Sequence, residues 1–78
     1  MTELRFDEAL YDGFAIDEAA KVFEPFLAIE RERAGGFFVL RVSLTEAAAA
    51  DGHVEADAAA ELANYALGKT IERKGSFT

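Results

Sequence analysis

Asp51-Gly52-His53-Val54-Glu55 places the only histidine of the chain among carboxylates, a set that could ligate a hard cation or pass a proton. One imidazole and two carboxylates in a turn lack the ligand spacing of a zinc or calcium loop. Asp and His at such a place ordinarily cap the start of a helix, and that structural role is the one expected here. Glu30 and Glu32 alternate along an extended segment and resemble a carboxylate pair, but Arg31 and Arg33 interleave with them, as on a charge-protected sheet edge. No apolar surround is evident to raise a carboxylate pKa. Ser43, Ser76 and the threonines have no neighbouring His to form a nucleophile and base. The expectation is a protein that is not an enzyme and needs neither cofactor nor metal.

Among the segments that carry these residues, Phe37-Phe38-Val39-Leu40-Arg41-Val42-Ser43-Leu44 is the strongest strand signal. Phe38, Leu40, Val42 and Leu44 form an apolar face, and Phe37, Val39, Arg41 and Ser43 a half-wet one. Leu4 and Phe6, alternating with Glu3, Arg5 and Asp7, predict a short first strand. Leu27 and Ile29, running into Glu30 and Glu32, predict a second, and Ala34-Gly35-Gly36 joins it to the third as a hairpin.

Between the first two strands, Ala15, Ala19, Val22, Phe23 and Phe26 mark the stripe of a helix that begins after Asp12-Gly13 and stops near Pro25, with Asp17 and Glu18 suiting its positive end. Thr45 predicts a capped turn through Glu46 and Ala47 to Ala50. A longer helix then runs from Val54 or Glu55 to about Arg73, with Ala59, Ala63, Ala66, Leu67, Thr70 and Ile71 as its apolar stripe, broadened by Leu62. Lys69, Arg73 and Lys74 suit its carboxyl end, and Gly75 is its natural terminator.

The order strand, helix, strand, strand, helix, with a right-handed crossover, predicts one α+β domain over residues 1–78. Its three-stranded antiparallel or mixed sheet has the order 1-3-2, with both helices on the face of Phe38, Leu40, Val42 and Leu44. This is a truncated ferredoxin-like arrangement, because Gly75-Ser76-Phe77-Thr78 is too short for a final strand. A chain of this size supports one thin core, and with no Cys it has no disulfide to supplement it.

A net charge of −7 opposes binding to nucleic acid and anionic membranes. The amino terminus lacks the basic and apolar segments of a signal peptide, and no stretch is long and apolar enough to cross a bilayer, so a soluble cytoplasmic protein is expected. Phe37 and Val39, rimmed by Arg5, Arg41, Glu30 and Asp7 on the outer sheet face, fit either a partner-binding surface or scattered exposed apolar side chains, with Phe37 folded over the hairpin. If the final strand is missing, the first strand offers an edge to an extended peptide.

Leu62-Ala63-Asn64-Tyr65-Ala66-Leu67, together with Leu10-Tyr11 and the helix containing Ala19-Ala20 and Phe23, resembles the small HxsD family of the His-Xaa-Ser peptide-modification systems. That family's closing helix carries a Leu-Leu-Asn-Asp-Tyr-x-Leu-Arg-Glu type motif. Leu62, Tyr65 and Leu67 match it, Asn64 stands in place of its Asp, Ala63 in place of its Asn, and Gly68-Lys69 in place of its Arg-Glu. The resemblance implies a non-enzymatic accessory protein that works with a radical SAM maturation enzyme or its precursor peptide. It makes Asn64 a candidate contact residue and Tyr65 a packing residue. The alternative, by fold analogy, is a ferredoxin-like regulatory or small-ligand-binding domain that forms a homodimer through its sheet.

Overall fold

The structure, a computed structural model, describes residues 1–74. Strand β1 (Thr2–Asp7), helix α1 (Gly13–Phe23), strands β2 (Leu27–Ala34) and β3 (Phe37–Leu44), a short helix α2 (Glu46–Ala50) and helix α3 (Glu55–Lys74) follow in that order. The sheet order is β1-β3-β2, and both pairings are antiparallel. The α+β architecture and strand order match the pattern of the sequence. Gly75 as a terminator and the brevity of residues 75–78 lie outside the described residues.

The hairpin forms because Gly35 (φ 58°) and Gly36 (φ 85°) both occupy the left-handed region that a tight turn of this hand requires. It sets the register Ala34↔Phe37 through Leu27↔Leu44, two residues longer at the β2 end than the alternation of Leu27 to Glu32 implies. Arg33 and Ala34 thus belong to the strand.

α1 begins where the Asp12 side chain accepts from the Ala15 N–H (3.2 Å) and ends before Pro25, which lacks an N–H to continue it. Asp17 lies beyond the first turn, which holds no acidic residue, and pairs instead with Arg31 of β2. α1 buries Ala15, Ile16, Ala19 and Ala20. Val22 and Phe26, expected in its stripe, are 45% and 37% exposed, and Ile16 takes the inward position between Ala15 and Ala19. Thr45 caps α2 by accepting from the Ala48 N–H (3.2 Å).

α3 buries Ala58, Ala59, Leu62, Ala66 and Thr70. Leu62 is the centre of its inward face, whereas Leu67 and Ile71 are 45% and 50% exposed. At 100° per residue those two stand well around the helix from the Leu62–Ala66 line, so their apolar character alone mispredicts their burial. α1 and α3 pack in opposite directions: the Asp12 N–H donates to Thr70 Oγ1 (3.2 Å), Arg73 pairs with Asp12 (2.5 Å), and Phe23 meets the Tyr65 ring edge-on at 6.1 Å between centroids. Between helices and sheet lies one core built on Phe6, Ile16, Leu27, Leu40, Val42 and Leu62.

Candidate peptide-binding edge and the outer sheet face

The outer face carries Glu3, Arg5 and Asp7 from β1, Phe37, Val39, Arg41 and Ser43 from β3, and Ala28, Glu30, Glu32 and Ala34 from β2, as the two registers dictate. Val39 sits between Arg5 and Glu32 and is only 3% exposed. Arg41 bonds Glu32 at 2.6 Å on one side and approaches Glu3 at 3.5 Å on the other, so one guanidinium ties all three strands. The aliphatic stems of these long charged side chains shield Val39. Phe37 is half-buried, with the Arg5 guanidinium 4.9 Å above its ring. The expected open apolar spot is therefore covered by charge, a correction that follows from the length of the Arg and Glu side chains flanking a short valine.

Asn64 is exposed on α3. Since α3 covers the opposite sheet face, Asn64 is not brought together with Arg5, Phe37, Val39 and Arg41. Tyr65 is half-buried against Phe23, with Lys69 Nζ 5.9 Å from its ring centre, in agreement with packing. His53 is exposed; its backbone N–H donates to the Ala48 carbonyl (3.0 Å) and its ring meets Phe26 edge-on at 5.1 Å, so it closes α2 through the backbone rather than capping with its side chain. Among the described residues no three His, Cys, Asp or Glu side chains converge to hold a metal ion, and no helix is long and apolar enough to cross a membrane.

The two sheet edges are unlike. On β2, Arg31 and Arg33 turn toward the helix side, pairing with Asp17 and with Glu8 (3.1 Å), and Arg33 lies 5.2 Å over the Phe38 ring. Asp17, Arg31 and Arg33 line a groove of about 320 Å³ between α1 and the sheet, and the two pairs blunt that edge with charge. On β1, the Glu8 N–H donates to the Gly36 carbonyl (3.0 Å), which sets the alternation: Thr2, Leu4 and Phe6 direct their backbone groups to β3, while Glu3, Arg5 and Asp7 direct theirs outward. The Asp7 carbonyl is occupied by the N–H groups of Leu10 (3.0 Å) and Tyr11 (2.9 Å). Among the described residues the open set is thus the N–H and C=O of Glu3 and Arg5 and the N–H of Asp7.

The outward turn of α3 carries the exposed Ala60, Leu67 and Ile71, an apolar shelf with the half-buried Ala63 at its margin. Sequence reasoning found the edge but missed this shelf, because it assigned Leu67 and Ile71 to the core. One end of the edge is fixed by Glu55, whose carboxylate accepts from Thr2 Oγ1 (2.7 Å) and the Leu44 N–H (3.3 Å) and lies 3.3 Å from the terminal ammonium. Those contacts, the Thr2 hydroxyl first, hold its pKa below the ordinary carboxylate value. Arg41 is held charged beyond its ordinary range, first by its hydrogen bond to Glu32.

Comparison of the chain with protein-family models, with curated proteins and with solved structures gave no match.

Proposed function

We propose that this chain is a non-enzymatic adaptor that holds an extended peptide as a fourth strand against β1. The observation that carries the reading is the row of backbone groups on Glu3, Arg5 and Asp7 that has no partner among the described residues, the kind of edge that strand addition uses for affinity. With the resemblance to HxsD-like accessory proteins, the added strand is a segment of a precursor peptide or of its radical SAM maturation enzyme. The cover of charge over Val39 favours the edge of the sheet over its face, both for this partner and against self-association through Phe37.

Proline at position 5 separates edge binding from everything else. The Arg5 N–H points out of the sheet, so Arg5→Pro leaves the β1–β3 ladder whole while removing a donor and placing a ring where the incoming strand would pair. In nitrogen-labelled protein titrated with the candidate precursor peptide, amide shifts should concentrate at Glu3 to Asp7, with smaller ones at Leu67 and Ile71. Arg5→Ala should bind and Arg5→Pro should not, with both retaining dispersed spectra. Equal binding by a folded Arg5→Pro variant, or shifts confined to α1, would end the proposal.

A further inference from the structure

A second concavity opens where α1 ends and α3 begins. It has a volume of about 220 Å³ and is walled by the rings of Phe23 and Phe26, His53 and Val54, with Asp57 and Glu61 along one side. The Phe23 and Phe26 rings are 6.4 Å apart and tilted by 60°, and Phe26 meets the His53 ring at 5.1 Å and 66°, so the aromatic planes surround the space rather than fill it. Val54 is 55% and Phe26 37% exposed, leaving apolar surface open to a ligand.

Asp57 and Glu61 stand one helical turn apart on α3, where like charges disfavour each other. Neither takes part in an ion pair among the described residues, whereas Glu3, Glu8, Asp12, Asp17, Glu32 and Glu72 each face a Lys or Arg side chain. The imbalance is regional: between Arg41 and Lys69 the chain has no Lys or Arg, and of its five acidic residues there only Glu55 is paired, with the terminal ammonium, leaving Glu46, Asp51, Asp57 and Glu61. The field at this end is negative and draws cations toward it. Aromatic faces add to that attraction, since their electron-rich surface favours a cation close by. The space therefore asks for a group with an apolar stem and a positive tip.

We propose that the Phe23–Phe26–His53 pocket receives a lysine or arginine side chain of a partner polypeptide, with the stem against Phe23, Phe26 and Val54 and the charged end between Asp57 and Glu61. This anchor takes a side chain, whereas the β1 edge pairs with backbone.

The test uses three capped tripeptides on the whole chain: acetyl-Ala-Lys-Ala-amide, acetyl-Ala-Arg-Ala-amide and the neutral acetyl-Ala-norleucine-Ala-amide, read by amide shifts. The cationic peptides should give saturable shifts at Phe26, His53, Val54 and Asp57 that weaken as salt is raised. The norleucine peptide should bind about tenfold or more weakly, the loss expected when a charge-assisted hydrogen bond is removed. The double variant Asp57→Asn with Glu61→Gln changes only exposed side chains and should abolish the preference for cations. The Arg5→Pro variant should leave these shifts intact, which separates failure here from failure of the edge. Equal response to norleucine, shifts spread evenly over Glu46 and Asp51, or no saturable response at all would overturn the assignment. Shifts at the same residues produced by raising protein concentration alone would give the pocket to a second copy of the chain and overturn it too.

Discussion

Leu62 and Leu67 are the same residue type five positions apart on one helix, yet one is 0% and the other 45% exposed. Leu62→Ala should therefore lower the unfolding free energy by about 2–5 kcal/mol, because removing a fully buried side chain forfeits its transfer energy and leaves a cavity. Leu67→Ala should change it by no more than about 0.5 kcal/mol. Urea unfolding of both variants checks this, and similar losses would mean that the helix is rotated from the face described. Glu55 supplies a pH-dependent counterpart. Its folded pKa is depressed, chiefly by the Thr2 hydroxyl and then by the Leu44 N–H, so its contribution is full above the ordinary value of ~4.3 and is lost as pH falls through the folded value. The urea midpoint of the natural chain should fall over that acid window, and Glu55→Gln should flatten part of the fall. A parallel acid limb in the variant would remove Glu55 from this role.

At the level of elements, the hairpin and the β1 edge depend on backbone rather than side chains. A Cβ at Gly36 would meet nothing within 4 Å, but its φ of 85° strains any L residue. Gly36→Ala should thus destabilise by roughly 1–3 kcal/mol through conformation alone. Gly35→Asn, at φ 58°, should be milder because Asn visits the left-handed region with less strain. Thermal unfolding distinguishes the two, and an equal shift would contradict the turn geometry. The same reasoning separates neighbouring prolines in β1: Leu4→Pro breaks a bond to β3 and disturbs a side chain packed on the core, whereas Arg5→Pro spares the ladder. Only the former should unfold the protein when both are followed by amide dispersion. Unfolding by Arg5→Pro would show that its N–H faces β3.

For the whole molecule, the decisive feature is that the two sheet edges and the two ends differ in charge. β2 is closed by arginine pairs and β1 is not, and the α3 carboxyl end carries Lys69, Arg73 and Lys74 while its amino end is acidic. Self-pairing through β1 would bring Glu3, Arg5 and Asp7 of two copies together, and with seven excess negative charges the copies repel at low salt. Sedimentation should accordingly show one chain per particle. A dimer that survives Arg5→Pro would indicate association through another surface and would return the sheet face around Phe37 to consideration.

The amino-acid sequence by itself determined the strands, the hairpin and the strand order, because period-two alternation and a Gly-Gly turn are local signals that few tertiary arrangements can contradict. It also made β1 an edge strand on condition that no fourth strand follows α3. Tertiary structure alone decided which apolar residues are covered. Leu67 and Ile71 leave the core because α3 turns its Leu62 line to the sheet, and Val39 enters shelter because Arg5, Arg41 and Glu32 converge over it from three strands. The pocket at Phe23, Phe26 and His53 belongs to the same class: its walls are more than twenty residues from Asp57 and Glu61 in the chain for both phenylalanines, and only the antiparallel packing of α1 on α3 makes them neighbours. Periodicity reports how one element divides its own faces; what each face then meets is set by the elements packed against it.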